Sequence, residues 1–179
     1  MKIEMLDQLL QEELRDIYDA EKQLVKAIPK MAKAASSTEL QEALNEHLEV
    51  TRGQVQRLEQ AFEALGTKAK GKTCAGMKGL IEEGGEVIGQ EANEDMKDLA
   101  IIGAAQRVEH YEIAAYGTAR TLAEHLGNDD VAELLQETLD EEAEADMKLT
   151  QISTTLLEGV SPGEVARPGA PKVRRSSGS

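Results

Sequence analysis

Six ionisable side chains fall on helical stripes that should otherwise be apolar. The line Leu135, Leu139, Glu142, Asp146, Leu149, Leu156 advances in steps of three, four or seven, as does Ile102, Ala105, Glu109, Glu112, Tyr116, Ala119, Ala123. Glu21 fills the slot between Ile17 and Leu24, and His47 lies on the line Leu40, Leu44, His47, Thr51, Val55, Leu58. Five carboxylates and an imidazole directed at one interior need neutralising, because an unpaired buried carboxylate is costly and like charges oppose one another's ionisation. No Lys or Arg shares these stripes at the same level, whereas two divalent cations would set +4 against −5. A shell of carboxylates with one imidazole suits iron, with manganese or zinc also chemically possible. The spacing therefore predicts a dinuclear metal centre held by Glu21, His47, Glu109, Glu112, Glu142 and Asp146. The competing reading is a wet cavity or a helix face turned to solvent.

Other residues play supporting parts. Glu49, Glu137 and Glu141 lie one or two positions off the stripes and are expected beside the ligands rather than among them. His110 follows Glu109 directly and so points about 100° away from it, as a hydrogen-bond donor near the site. His125, close to Gly127, is expected as a charge partner of a helix C-terminus. Tyr18 and Tyr116 read first as plain core residues, and either could hydrogen-bond a ligand carboxylate or pass an electron to the site. Met5, Met31, Met77 and Met147 read as packing, and Cys74, the single cysteine, as a loop thiol without a disulfide partner. There is no phosphate loop, nucleophile elbow or cysteine-rich zinc pattern.

Four long amphipathic stretches must position these side chains. The first carries Leu6, Leu10, Leu14, Ile17, Leu24, Ile28 and Met31; Ser36-Ser37-Thr38 ends it and can cap the second, which runs through Leu65 and stops at Gly66. A Lys-rich loop leads to a shorter connecting helix from Met77 to Gln90, weakened by Gly84 and Gly85. The third long helix runs from about Asn93 to Leu126, and Asn128-Asp129-Asp130 caps a fourth that reaches about Glu158. A gapless shift of 91 positions lays Glu21 on Glu112, Leu44 on Leu135, Leu48 on Leu139 and turn on turn, which supports a pseudo-two-fold pairing of hairpins. The predicted fold is all-α, a ferritin-like four-helix bundle of two hairpins joined by an additional helical crossover.

Composition agrees. Twenty Lys+Arg against thirty-four Asp+Glu give a net charge of −14 over 179 residues, which speaks against nucleic acid as a partner. With three Tyr, one Phe and no Trp, an all-β core is improbable, while 40% hydrophobic residues exclude a disordered acidic chain. No run approaches the ~20 apolar residues of a membrane span, so the expectation is a soluble, cytoplasmic protein with no membrane partner. The bundle is assigned to residues 1–159, and residues 160–179, rich in Pro, Gly and Ser and bearing Arg167, Lys172, Arg174 and Arg175, to a flexible basic tail.

Several motifs in order carry a family resemblance: Tyr18-Asp19-Ala20-Glu21-Lys22-Gln23-Leu24, His47-Leu48-Glu49, Gly79-Leu80-Ile81-Glu82-Glu83, Val108-Glu109-His110-Tyr111-Glu112-Ile113-Ala114 with Tyr116-Gly117, and Glu137-Thr138-Leu139-Asp140-Glu141-Glu142. Over about residues 3–157 the chain resembles the bacterial YciE/YciF ferritin-like family. That resemblance implies a rubrerythrin-like bundle, a buried centre of two iron ions, a homodimer and an association with stress responses. Two departures stand out. The chain has no Glu-x-x-His, the ligand pattern of ordinary ferritins and rubrerythrins, and Asp146 is the candidate replacement for that His. Relatives often read His-Leu-Glu-Glu-Thr where this chain has His47-Leu48-Glu49-Val50-Thr51. The expected activity is oxidation of Fe(II), or reduction of oxygen or peroxide, at the carboxylate-rich site. The alternatives are a non-catalytic acidic interaction module with a structural or vestigial metal site, and a dimanganese catalase-like enzyme.

Overall fold

The computed structural model describes residues 3–160 and contains five α-helices: α1 (Leu6–Ala34), α2 (Thr38–Ala64), α3 (Ala75–Gly89), α4 (Glu94–His125) and α5 (Asp129–Glu158). Apart from Val160, the tail assigned to 160–179 lies outside the described residues. The helix boundaries follow local chemistry. Ser37 caps α2, its Oγ accepting from the Leu40 N–H at 3.3 Å, and the Asn93 side chain caps α4 by accepting from the Met96 N–H at 2.9 Å. Gly66 and Gly127 end α2 and α4 with φ of +66° and +71°, a conformation only glycine adopts without strain. The residues after them close the turn, with Thr67 N–H on Phe62 C=O and Asn128 N–H on Ala123 C=O, both at 2.9 Å.

The helices α1 and α2 pack as one hairpin and α4 and α5 as the other; α1 lies against α4, α2 against α5, and α3 rests across α1 and α4. This is the expected bundle with its helical crossover. One buried side chain locks the first hairpin to the second: Asp98 of α4 accepts from the N–H groups of Ser36 and Ser37 at 2.8 and 2.6 Å, satisfying the turn that joins α1 to α2.

The core comes in two apolar halves. One holds Leu24, Ile28, Leu40, Leu44, Leu48, Met77, Ile101, Ile102 and Leu149, the other Leu10, Leu14, Ile17, Leu58, Phe62, Tyr116, Val131 and Leu135. Every long helix passes from one half to the other through a polar position. The stripes differ from expectation at their margins: Leu6 is 43% exposed, so the first stripe begins at Leu10, and Met5 and Met147 face solvent instead of packing. Met5 sits at the start of α1, and Met147 is one residue beyond Asp146, on the outer side of α5. Among the described residues no helix is long and apolar enough to cross a membrane.

Candidate metal centre

The polar layer between the two apolar halves collects one acidic position from α1, two from α4 and one from α5. Glu21, Glu109, Glu112 and Glu142 are all at most 3% exposed. The helix periodicity that makes their neighbours core residues also drives these carboxylates inward. Ligand atoms of His47, Glu109, Glu112 and Glu142 all lie within 4.8 Å of one another. The His47 Nε2 stands 3.5 Å from Glu109 Oε1 and 3.8 Å from Glu142 Oε2. Glu21 completes the layer from α1, and its Oε1 accepts a 2.5 Å hydrogen bond from the Tyr116 hydroxyl.

Among the described residues no Lys or Arg pairs with these four carboxylates. Oε2 of Glu21, Oε2 of Glu109, both oxygens of Glu112 and Oε2 of Glu142 are buried without a hydrogen-bond partner. Burial raises the carboxyls of Glu21, Glu109 and Glu112 well above the usual range; the charge of Glu142 pushes Glu21 and Glu109 the same way, as Glu21 does Glu112, while the hydrogen bond from the Tyr116 hydroxyl pulls Glu21 back. Burial lowers His47, against the pull of Glu142 and Glu141. Burial likewise lifts Tyr116 well above its ordinary value, reinforced by Glu21 and Glu112.

Asp146 stands apart. Its side chain is 21% exposed, accepts from Gln106 Nε2 at 3.0 Å and lies 3.4 Å from His110 Nε2, so the structure does not bring it into the converging cluster. The step from Glu142 to Asp146 is one helical turn along the axis and about 40° around it. That carries the side chain past the layer, to a level where α4 offers Gln106 instead of an acid. His110 is accordingly turned toward Asp146 and largely exposed.

Two residues of the surroundings, Gln54 and Arg57, escape the sequence stripes. Gln54, fully buried on α2, donates through Nε2 to Glu142 in a very short hydrogen bond and to Glu141 at 3.1 Å. Arg57 grips Glu141 with two 2.9 Å contacts, reaches Glu137 at 2.9 Å and donates to Thr138 Oγ1 at 2.7 Å. Glu141 and Glu137, expected beside the ligands, are thus ion-paired, while Glu49 pairs with Arg52 at the surface. Thr51 donates to the His47 carbonyl at 2.8 Å, within its own helix. Only the alternation of four- and three-residue steps through His47, Thr51, Gln54 and Leu58 could have flagged Gln54; the line through Val55 fits the apolar pattern equally well. Tyr18 is the plain core residue first expected: it is buried, donates to Glu59 at 2.8 Å and packs edge-on against Phe62.

Residues 5–159 match the family described as domain of unknown function DUF892. The chain belongs to this family. Over 141 residues, 78% of the chain and 85% of its counterpart, it is 50% identical to protein YciF of Escherichia coli strain K12. The DUF892 chain superposes on the crystal structure of that stress protein with a TM-score of 0.85, at 44% identity, covering 87% of this chain and 99% of the other. YcfI of Rhodopseudomonas palustris gives a TM-score of 0.82 at 46% identity, with 83% and 95% covered. A two-domain protein of Anabaena variabilis, with DJ-1/ThiJ/PfpI-like and ferritin-like domains, gives 0.59 at 14% identity, covering 93% of this chain and 41% of that one. At that identity the likeness concerns the fold alone. The fold of this DUF892 chain is ferritin-like, and the cluster of His47 with Glu109, Glu112 and Glu142 sits at its centre.

Proposed function

We propose that the chain is a di-iron oxidoreductase, binding two iron ions in the polar layer and oxidising Fe(II) at the expense of oxygen or peroxide. The observation that carries this reading is the set of buried carboxylate oxygens without partners on Glu21, Glu109, Glu112 and Glu142. Four carboxylates bring −4, and two divalent cations bring +4, so the charge of the layer closes without Asp146. Arg57 is not available to the layer, being committed to Glu137 and Glu141. Oxygen-rich donors with one imidazole fit iron.

Iron supplies a one-electron change of oxidation state and coordination positions open to an oxidant. The chain supplies the rest. Its carboxylates can shift between one- and two-oxygen binding as charge changes, while Tyr116 fixes Glu21 and Gln54 fixes Glu142 in orientation. The apolar halves on either side keep water from the layer along the bundle axis. A dimanganese, catalase-like centre is the second reading, favoured by the preponderance of carboxylates over imidazole. The proposed assembly is a homodimer, which sedimentation would report as twice the 19.4 kDa of the chain.

The test is aerobic Fe(II) oxidation by the full chain against a Glu112→Ala/Glu142→Ala variant that remains helical. Fast oxidation by the wild type and loss in the variant is the expected result; equal rates reject the site. Rapid peroxide disproportionation by manganese-loaded protein, without Fe(II) oxidation, would transfer the assignment to manganese.

A further inference from the structure

A cavity of about 240 Å³ opens between α2 and α5 and ends at the polar layer. Its walls are the apolar side chains Ala43, Leu44, Val50, Ala145 and Leu149, and its charged lining is graded in depth. Glu46 at the mouth has a side chain 68% exposed, Glu141 further in 29%, His47 12% and Glu109 4%. Glu144, also exposed, lines the same cavity. At its inner end stands Glu109, buried, with an Oε2 that has no hydrogen-bond partner. Across the mouth Lys148 of α5 pairs with Glu46 of α2, the one cation among four carboxylates in the lining.

We propose that this cavity is the port through which hydrated divalent cations reach the centre, with Glu144 drawing them in and the Lys148–Glu46 ion pair acting as a strap across the mouth. The proposal rests on the metal-binding reading above. Size and charge both support it. At about 30 Å³ per water, an ion with six waters takes roughly 180 Å³, which the cavity holds. A cleft with apolar walls and an excess of one charge focuses its field and raises the arrival rate of counter-ions. The same field disfavours anionic oxidants and leaves oxygen and hydrogen peroxide, both uncharged, unhindered. Glu109 and His47, which line the inner end, are the first members of the converging cluster that an ion in the cavity would reach.

Stopped-flow uptake of Co(II) by the metal-free full chain, followed by the visible absorbance of the bound ion, tests this. Glu144→Gln should slow uptake about 3-fold, with the final metal stoichiometry unchanged. Lys148→Gln should accelerate it. Raised ionic strength should slow the wild type more than the Glu144→Gln variant. Equal rates in all variants, at full stoichiometry, overturn the port while leaving the metal centre standing. No Co(II) bound by the wild type overturns the port and the centre together.

Discussion

Among the described residues Glu112 has the least compensated carboxylate. It is buried, both of its oxygens lack partners, and burial with Glu21, Glu142 and Glu109 holds its carboxyl well above the ordinary 4.5. A carboxyl whose folded value exceeds its unfolded value makes the native state bind more protons between the two, so stability falls as pH rises through that interval. The metal-free protein should therefore lose unfolding free energy from pH 4.5 upward until the raised values of Glu21, Glu109 and Glu112 are passed. Glu112→Gln, neutral and nearly isosteric, removes part of that loss. At neutral pH the metal-free variant should be more stable than the wild type by about 1–4 kcal/mol in urea titrations, and less stable once metal is added to both. A variant destabilised in the metal-free state would contradict the buried-charge account. At this scale the sequence disclosed a carboxylate wherever an acid interrupted an apolar stripe, which holds for Glu21, Glu109, Glu112 and Glu142. It could not disclose Arg57, whose partners Glu137 and Glu141 lie eighty or more positions away on another helix. It also misplaced Asp146, since one turn of phase drift exchanges an acid neighbour for Gln106.

The long helices were legible because their ends are written locally, in Ser37, Asn93, Gly66 and Gly127, while the docking of the crossover was not. Cys74, expected as a loop thiol, is buried at the start of α3; its Sγ accepts from the Met77 N–H and lies 2.9 Å from the Tyr111 hydroxyl. That hydroxyl donates to Asp16 at 3.0 Å, and the Cys74 N–H donates to Asp19 at 2.9 Å, so the element is pinned to α1 and α4 by long-range polar contacts that no periodicity encodes. Gly76 lets the Tyr111 ring lie against α3: a Cβ there would come within 2.7 Å of Tyr111 Cε2. With the ring tethered at its hydroxyl, Gly76→Ala should destabilise the protein by about 1 kcal/mol even though alanine favours the helix. In a Tyr111→Ala background the same change should stabilise by about 1 kcal/mol. Chemical denaturation of the four proteins of this cycle reads the result, and an equal effect of Gly76→Ala in both backgrounds would exclude the close approach.

At the scale of the whole molecule, two apolar halves are joined through a polar layer that all four long helices build, α1, α4 and α5 with carboxylates and α2 with His47 and Gln54. The bundle accepts buried, uncompensated acid at its middle because the halves on either side supply the burial that drives folding. Metal bound only by the folded state would stabilise it by mass action, so chelation should lower the midpoint of thermal unfolding and reloading restore it. The fold was readable from amphipathic spacing and the 91-residue repeat; the membership of the polar layer was not, because the structure sets Asp146 outside it. The most direct test of the central claim is the number of metal ions bound by the chelator-stripped full chain after anaerobic Fe(II) loading and removal of free metal, measured by elemental analysis. The account predicts two per chain, with loss of binding in Glu112→Gln/Glu142→Gln at unchanged helix content. No bound metal in the wild type, or undiminished binding in the variant, would contradict it.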